Sequence, residues 1–339
     1  MEYLPYILPP DSRALVTGAT GFTGSLLVRK LLQQGVRVVA IARYTSNLDS
    51  FKDMEIEWIR GDVFDEKLID EAIEEVNYIF HLVTPFRSAK SPDVGYYNVH
   101  VLSTQLLAKA ALNQPNFKRF VHVSTIGVHG HIEHPPADEN APMYPGDVYQ
   151  KTKLEAEIWL KNYAAQKGLS VTIVRPAGIY GLGEKRLLKI FKWVYRQWVP
   201  VIGNGNNLLH LIHVNDLTNF LILAATHPKS DGEVFICGSP EAISFNKMVS
   251  IISDYYGNSV KFIKFPAAPM FALGYLFEVI CRPLGIEPPI YRRRLAFYTK
   301  DRSFNTSKMN NLLGFVPAHS DEEGLKELAK WYLDQGWIK

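Results

Sequence analysis

Cysteine is scarce in this sequence: Cys237 and Cys281 are the two that occur among 339 residues. Two cysteines make no disulfide framework, and neither stands in a Cys/His cluster at the spacing of metal ligands. We therefore expect a reducing compartment and a site without a metal. The N-terminus lacks a charged leader followed by a long apolar stretch, so we predict a cytoplasmic protein.

An excess of one charge is also lacking. The 37 basic and 34 acidic residues leave a net charge of +3. The basic run Arg292–Arg294 is too short to form the broad basic stripe that duplex DNA requires. With 47% apolar and 21% charged residues, the composition is that of a globular protein. We expect a small-molecule substrate and no nucleic-acid partner.

Strand-like and helix-like segments alternate through the first half of the chain. The apolar run Ala14–Val16 stops at a glycine cluster, the helical stretch Ser25–Gln33 ends at Gly35, and a second apolar run covers Val36–Ala42. This order is typical of a βαβ unit with parallel strands. Its continuation predicts the α/β class, a Rossmann-type doubly wound parallel sheet. The later predicted elements are strands over Glu57–Arg60, Tyr78–Val83, Phe120–Ser124 and Ser170–Arg175 and helices over Lys67–Glu75, Ser103–Leu112 and Tyr149–Gln166.

The alternation breaks down after Gly183, where a helix is predicted over Lys185–Arg196 and prolines become frequent. We expect a dinucleotide-binding domain over residues 1–182. Residues 183–339 are expected to form mainly a smaller substrate-binding region, with segments that return to the first domain.

A glycine-rich turn, TGATGFTG over Thr17–Gly24, lies between the first predicted strand and helix. Small residues there let the backbone turn tightly and approach a pyrophosphate, which the helix N-terminus then stabilises. In this context the turn predicts a dinucleotide site. The expected cofactor contacts are Gly18, Thr20, Gly21, Phe22 and Thr23.

The spacing Gly-x-x-Gly-x-x-Gly resembles that of the extended short-chain dehydrogenase/reductase family. Other segments resemble this family's motifs in the same order along nearly the whole chain: GDVFD, FHLVTP, VSTIGVHG, YQKTK, RPAGIYG and SKMNNLLGFVP. The resemblance implies a homodimer and further cofactor contacts. These are Asp62 and Val63 near the adenine, Leu82, Val83 and Thr84 near the nicotinamide, and Pro176 and Ile179 after the sixth strand.

Tyr149 and Lys153 lie four residues apart, on one face of the predicted helix. Hydride can leave a carbinol carbon only if a base takes the hydroxyl proton. An ordinary tyrosine, with a pKa of about 10, is a poor base at neutral pH, but a nearby ammonium favours the phenolate. Tyr149 is the predicted acid/base, and Lys153 its partner and a ligand of the nicotinamide ribose. The resemblance implies that Thr125, supported by Ser124, binds the substrate oxygen.

One position departs from the family's pattern. His100 stands where the family usually has an asparagine, and Asn98 is the alternative if the register is shifted by two residues. Neither residue is assigned a catalytic role.

The cofactor choice depends on Arg43 at the end of the second predicted strand. NAD-preferring proteins commonly place an acidic residue there. An arginine attracts a 2′-phosphate and can stack on adenine, so we expect NADP, with NAD as the alternative cofactor. An ordinary exposed arginine is the alternative interpretation.

The substrate class follows from a missing charge. Nucleotide-sugar members of the family carry an arginine where this chain has Leu209. His210 and His213 follow, and a histidine in an apolar strand is usually a core residue. The closest resemblance is to the 3β-hydroxysteroid dehydrogenase-like branch, which implies a bulky apolar alcohol or ketone.

The segment PAAPMFALGYLFEVICRPLG, over Pro266–Gly285, is almost uncharged. It is too short and too broken by proline to span a membrane. A buried helix is the first expectation, since uncharged helices usually belong to the core. A lid over an apolar pocket and an interfacial patch flanked by Arg282 and Arg292–Arg294 are the alternatives, so peripheral membrane contact stays open.

Three functions fit these observations. The first is an NAD(P)-dependent oxidoreductase acting on a bulky apolar, steroid-like or ketoacid-like carbinol or carbonyl. The second is a nucleotide-sugar epimerase or dehydratase. The third is a dinucleotide-sensing protein without catalysis, which would not need all of Thr125, Tyr149 and Lys153.

Overall fold

The computed structural model describes residues 7–85, 93–281, 283–284, 286, 288–289, 295 and 299–339. The strands are β1 Arg13–Thr17, β2 Arg37–Ala42, β3 Ile56–Arg60, β4 Tyr78–His81, β5 Arg119–Val123, β6 Val171–Pro176, β7 Gly178–Tyr180, β8 Trp198–Ile202, β9 Leu208–Leu209, β10 Leu211–His213, β11 Val234–Cys237, β12 Ile243–Ser244 and β13 Lys261–Phe265. The helices are α1 Phe22–Gln33, α2 Glu66–Ala72, α3 Asp93–Tyr97, α4 Ser103–Leu112, α5 Val148–Lys167, α6 Leu188–Tyr195, α7 Val214–Thr226, α8 Phe245–Tyr256, α9 Ala267–Cys281, α10 Ser307–Leu313 and α11 Asp321–Asp334. A π-helical turn, Asn98–Leu102, joins α3 to α4, and the 3₁₀ turns are Asp49–Phe51, Ile126–His129 and Pro228–Ser230.

The central sheet has seven strands in the order β11-β6-β5-β4-β1-β2-β3. Every neighbouring pair is parallel, and β1 lies between β4 and β2, where Val16 pairs with Ala40 of β2 and Phe80 of β4. This confirms the predicted doubly wound parallel sheet. In such sheets ligands bind beyond the carboxyl ends of the strands, where the strand order reverses, and here that is between β1 and β4.

Helices cover both faces of the sheet. On one face α1, α7 and α10 pack on side chains such as Val16 and Phe80, and on the other α2, α4 and α5 pack on side chains such as Leu15 and Ile79. Because the strands are buried on both faces, their sequences are nearly continuous apolar runs, as in β6 and β11.

The second half of the chain builds a separate apolar core from α6, α8, α11 and β8, centred on Phe191, Phe245 and Tyr332. The segments α7 and β11 instead belong to the central sheet and its covering helices. Cys237, which ends β11, is buried.

Two sequence-based expectations were wrong in this half. Helix α6 begins at Leu188 rather than Lys185, because the carboxylate of Glu184 accepts hydrogen bonds from the backbone and guanidinium of Arg186 and holds a turn there. The segment predicted as a buried helix forms α9, in which Gly274 and Glu278 are the buried residues. Arg282 and Arg292–Arg294, the basic residues predicted to flank it, lie outside the described residues.

Candidate active site

The glycine-rich turn packs against the end of β4. Gly18 has φ +74°, a conformation that favours glycine, and a Cβ there would lie 3.0 Å from the Cα of Val83. A Cβ on Gly24 would lie 2.1 Å from the carbonyl oxygen of Gly18. Only glycine allows both approaches, so the N-terminus of α1 sits directly on the turn.

The start of α1 suits an anionic ligand. Its first turn is fully described and contains no acidic residue. Thr20 and Gly21 are exposed, while Phe22 and Thr23 are half-buried. Backbone N–H groups at a helix N-terminus bind phosphate groups, so this cradle fits a dinucleotide pyrophosphate.

A chain of hydrogen bonds fixes the neighbouring strand ends. The hydroxyl of Ser103 donates to the carbonyl of Val99, so it accepts from Nε2 of His81 at 3.1 Å. Nδ1 of His81 then accepts from the hydroxyl of Thr17 at 2.8 Å, and the same Thr17 oxygen lies 3.4 Å from the amide nitrogen of Val83. This chain joins β1, β4 and α4 directly below the glycine-rich turn.

The other predicted cofactor residues lie along the same edge of the sheet. Leu82 and Val83 are half-buried and Thr84 is exposed, all directly beyond β4. The remaining predicted contacts are Arg43, exposed beyond β2; Asp62, exposed, and Val63, buried, beyond β3; Pro176, buried at the end of β6; and Ile179, half-buried in β7. No described residue forms an ion pair with Arg43.

Lys153 ties α5 to the sheet. The side chain of Asp147 caps α5 by accepting the backbone N–H of Gln150 at 2.8 Å. The buried ammonium of Lys153 donates to the carbonyl oxygens of Val123, at 2.9 Å, and Val83, at 3.3 Å. Tyr149, one turn earlier, is 8% exposed. Lys153 therefore holds the tyrosine helix against the end of β5 and the residues that follow β4.

Thr125 follows β5 and caps the 3₁₀ turn. Its oxygen accepts the backbone N–H of Gly127 at 3.0 Å, which leaves the hydroxyl hydrogen for another acceptor. A Cβ on Gly127 would lie 3.2 Å from both the Thr125 hydroxyl and Nε2 of Gln150, so this turn lies against α5. The Ser124 hydroxyl is buried and finds no hydrogen-bond partner in the described ranges.

His100 contacts both the tyrosine helix and the end of β4. The hydroxyl of Thr152 donates to the carbonyl of Val148 at 2.8 Å, so it accepts from Nδ1 of His100, also at 2.8 Å. Nε2 of His100 is hydrogen-bonded to the Thr84 hydroxyl at 3.1 Å. A role for His100 could not be predicted, because its partners lie far away in the chain, and its place in the asparagine position was the one available signal.

Two further histidines lie buried near Lys153. Burial lowers the pKa of His81 and of His122 well below the usual value, and the charge of Lys153 adds to both shifts. Neither ring nitrogen of His122 has a hydrogen-bond partner among the described residues. Both imidazoles are therefore neutral, and Lys153 is the cation in this part of the interior.

A buried ion pair holds α5 on β6. The guanidinium of Arg175 donates through Nε to both carboxylate oxygens of Glu157, at 3.1 and 3.2 Å, and also contacts one of them through Nη2. Nη1 contacts Nε2 of His129 at 3.0 Å and donates to the carbonyl of Glu139 at 2.9 Å. The arginine of the predicted RPAGIYG motif thus holds the helix that carries Tyr149.

His213, Asp216 and His319 place potential metal ligands within 4.8 Å of one another. Asp216, however, already accepts the backbone N–H groups of Ala318 and His319, and the His213 and His319 rings stack with centroids 4.0 Å apart. Stacked imidazoles direct their lone pairs away from a common point. The cluster therefore joins α7 to the C-terminal segment.

His210 is a core residue, as expected. Its Nδ1 accepts the backbone N–H of Phe304 at 3.1 Å, so Nε2 donates to the carbonyl of Ser239 at 2.7 Å. Leu209, at the position of the family's arginine, is buried among apolar side chains that include Tyr180 and Leu211.

Residues 14–238 match the NAD dependent epimerase/dehydratase family. The dTDP-glucose 4,6-dehydratase of Streptomyces antibioticus is 26% identical over 337 residues, which cover 94% of this chain and 92% of that protein. The 3beta-hydroxysteroid-dehydrogenase/decarboxylase isoform 1 of Arabidopsis thaliana is 25% identical over 345 residues, covering 92% of this chain and 77% of that protein. The crystal structure of UDP-glucose 4-epimerase from Thermotoga maritima, which contains UDP-glucose, has the same fold, with a TM-score of 0.77 at 22% identity over 95% of this chain and 99% of that one.

Proposed function

This chain belongs to the NAD dependent epimerase/dehydratase family, and from that premise we propose that it is an NAD(P)-dependent oxidoreductase for a bulky apolar substrate. The hydride would pass between the nicotinamide and a carbinol or carbonyl carbon of a steroid-like or ketoacid-like molecule. The bound nicotinamide supplies the hydride acceptor or donor.

One observation carries this proposal: the Lys153 ammonium lies on the carbonyl oxygens of Val83 and Val123. The contact brings the helix of Tyr149 to the carboxyl edge of the sheet, beside the glycine-rich turn. A cation one turn from a phenol stabilises the phenolate that a base requires.

In the oxidative direction, Tyr149 takes the hydroxyl proton of the substrate while the carbinol carbon loses its hydride. In the reductive direction, the phenol returns that proton to the developing alkoxide. Thr125 donates its remaining hydroxyl hydrogen to the substrate oxygen, since its own oxygen accepts the Gly127 N–H. Lys153 holds the positive charge beside the phenolate throughout.

Leu209 supports an apolar substrate. It is buried in an apolar cluster, so this position offers no charge to a diphosphate. The similarity to a plant protein named as a 3beta-hydroxysteroid-dehydrogenase/decarboxylase points in the same direction.

A nucleotide-sugar epimerase or dehydratase is the second candidate. The similarity to a dTDP-glucose 4,6-dehydratase over 94% of this chain favours it. In that case Tyr149 would drive a transient oxidation of a sugar carbon, and another cation would bind the diphosphate.

For the cofactor we propose NADP, with NAD as the alternative. Arg43 is exposed immediately beyond β2, where a guanidinium can pair with a 2′-phosphate. We also propose a homodimer that includes α5, whose Ile158 is 48% exposed.

The test combines cofactor binding with turnover in Tyr149→Phe. Nicotinamide fluorescence would follow NADPH binding, and a panel of hydroxysteroids, β-keto acids and UDP-sugars would be assayed for oxidation or reduction. We expect unchanged NADPH affinity and a loss of turnover of at least about 10²-fold, since one hydroxyl group is removed and little packing.

Tyr163→Phe is the matched control, because it removes a phenol hydroxyl from the same helix, where Tyr163 stacks on Trp159. This variant should turn over normally. Full activity in Tyr149→Phe would contradict the assignment of the base. Turnover of a UDP-sugar alone would favour the second candidate.

A further inference from the structure

Helix α9 exposes apolar side chains on its outer face. Leu273, Tyr275, Leu276, Val279 and Ile280 are between 38% and 56% exposed. At about 100° per residue, these five fall within an arc of about 160° around the helix axis. An apolar surface of this kind marks an interaction site.

The charged residue of α9 lies on the opposite side of the helix from the exposed apolar arc. Glu278 and Gly274 are buried and lie opposite the exposed arc. Glu278 is the single charged residue among the 15 of this fully described helix. The outer arc therefore carries no charge.

Strand β13, which ends two residues before α9 begins, is also exposed. It pairs with β8 and is exposed along its whole length, KFIKF. Phe262, Ile263 and Phe265 are each close to 40% exposed, and Trp198 of β8, which pairs with Lys261, is 40% exposed. Leu284 and Ile286 extend the same apolar character beyond α9, at 66% and 55% exposure.

Two lysines border the apolar side chains. Between residues 261 and 281, all of which the structure describes, the charged residues are Lys261, Lys264 and the buried Glu278. The exposed charge of this segment is thus positive, which complements an anionic surface.

The length of α9 limits how it can meet a membrane. Fifteen residues extend about 22 Å, less than the bilayer's hydrocarbon core of about 30 Å. The described helices include none with the length and apolarity to cross a membrane. A helix with an apolar face and nearby lysines instead lies in the plane of the interface.

We propose that the outer arc of α9 together with β13, which we call the α9 surface, binds the surface of an anionic phospholipid bilayer. The apolar side chains of α9 enter the boundary between headgroups and acyl chains. Lys261 and Lys264 point to opposite faces of β13, so they contact the anionic headgroups from the two sides of its outer edge, the edge away from β8. The rings of Tyr275, Phe262 and Phe265 suit the same depth, since aromatic side chains collect at this boundary.

The test is cosedimentation of the full chain with vesicles of phosphatidylcholine alone or mixed with phosphatidylglycerol, at low and high salt. We expect the protein to sediment with the mixed vesicles, and less of it as salt rises. The double variant Leu276→Asp/Val279→Asp should lose at least tenfold in binding, since two carboxylates enter the apolar arc. Lys261→Glu/Lys264→Glu should weaken binding to the mixed vesicles selectively.

Val316→Asp is the control, because Val316 is 59% exposed outside the α9 surface, and it should bind as the unchanged chain does. Circular dichroism would verify that each variant is folded. The proposal is overturned if the unchanged chain fails to sediment with mixed vesicles or if Leu276→Asp/Val279→Asp sediments equally well. It is also overturned if that variant alters only the oligomeric mass, because the surface would then be a contact between copies of the chain.

Discussion

His100 meets the ring of Tyr149 edge to face, with the ring centroids 5.3 Å apart. The same imidazole is hydrogen-bonded to the Thr84 hydroxyl beyond β4 and donates a hydrogen bond to Thr152 on α5. It therefore connects the proposed base to a residue on the predicted nicotinamide side, and we consider it a positioning residue.

Replacing His100 with alanine should lower kcat about ten- to a hundredfold, because the tyrosine ring loses its lateral support. NADPH affinity should change little. His100→Asn retains hydrogen-bonding groups at this position and should keep more of the activity than His100→Ala. Steady-state kinetics combined with NADPH titration would separate the two effects. Equal kcat in the three proteins would exclude this role.

Arg43→Asp should shift the cofactor preference toward NAD. A carboxylate repels the 2′-phosphate and can accept the ribose 2′-hydroxyl, so the ratio of NADPH to NADH affinities should fall at least about tenfold. Arg37→Asp, on an exposed arginine at the opposite end of β2, is the control and should leave the ratio unchanged. Fluorescence titrations with NADPH and NADH measure the ratio of the two affinities. An unaltered ratio in Arg43→Asp would rule out the proposed 2′-phosphate contact.

Gly18→Ala and Gly35→Ala form a matched pair, with φ +74° and +75°. Both should cost about 1–2 kcal/mol of stability from backbone strain. A Cβ on Gly18 would crowd Val83, whereas one on Gly35 meets no described atom within 4 Å. Only Gly18→Ala should therefore also lose NADPH affinity. NADPH titration measures the affinity of each variant, and urea unfolding measures its stability. If both variants bind NADPH normally, the turn is not the pyrophosphate site.

Glu157→Leu should destabilise the fold by about 3–5 kcal/mol, because Arg175 is left charged and buried without its partner. The double variant Glu157→Leu/Arg175→Met should recover much of this loss. Glu322→Leu removes an exposed partner of Lys326 and should have no measurable effect. Urea unfolding gives all three values. If Glu157→Leu proved as stable as the unchanged chain, the pair would contribute nothing to holding α5.

Acidification should destabilise the protein between pH 6.5 and pH 4. Burial lowers the pKa of His213 to about 4 from an ordinary value of 6.5. Below pH 6.5 the His213 side chain binds a proton in the unfolded chain but not in the folded chain. The free energy of unfolding therefore decreases as the pH decreases, by up to about 1.4 kcal/mol per pH unit. The loss from this residue levels off below pH 4, where the folded chain also binds the proton.

The pKa values of His81 and His122 are also lowered by burial, so these two residues likewise reduce the stability of the folded chain as the pH decreases. In His213→Asn, whose side chain can still cap α7, the slope between pH 4 and 6.5 should decrease by about one proton. Urea unfolding across this range measures it, and parallel curves for the two proteins would refute the assignment.

The sheet and the glycine-rich turn could be predicted because both leave local signals. Strands buried on both faces read as continuous apolar runs, and the close approach of Gly18 to Val83 requires glycine. Strand ends were less predictable. β4 stops at His81 rather than Val83: the Leu82 N–H still bonds to the Thr17 carbonyl, but the Val83 backbone bonds to side chains, its N–H to the Thr17 hydroxyl and its carbonyl to Lys153.

The histidine contacts and the exposure of α9 could not be predicted. His100 and Thr152 are 52 positions apart in sequence, and nothing local marks them as neighbours. An uncharged helix normally implies burial, but burial depends on what packs around it, and that is decided by the tertiary fold.

The position of β11 has a consequence for synthesis on the ribosome. It pairs with β6 and becomes the edge strand in its place, although nearly sixty residues separate the two strands in the chain. Until those residues leave the exit tunnel, β6 presents a row of unsatisfied N–H and C=O groups, and such an edge can pair with other chains. The nascent protein thus passes through an aggregation-prone interval that ends when β11 pairs with β6. Side chains then satisfy part of the new edge, since Glu139 accepts the N–H of Ile236 and Lys308 donates to the carbonyl of Val234.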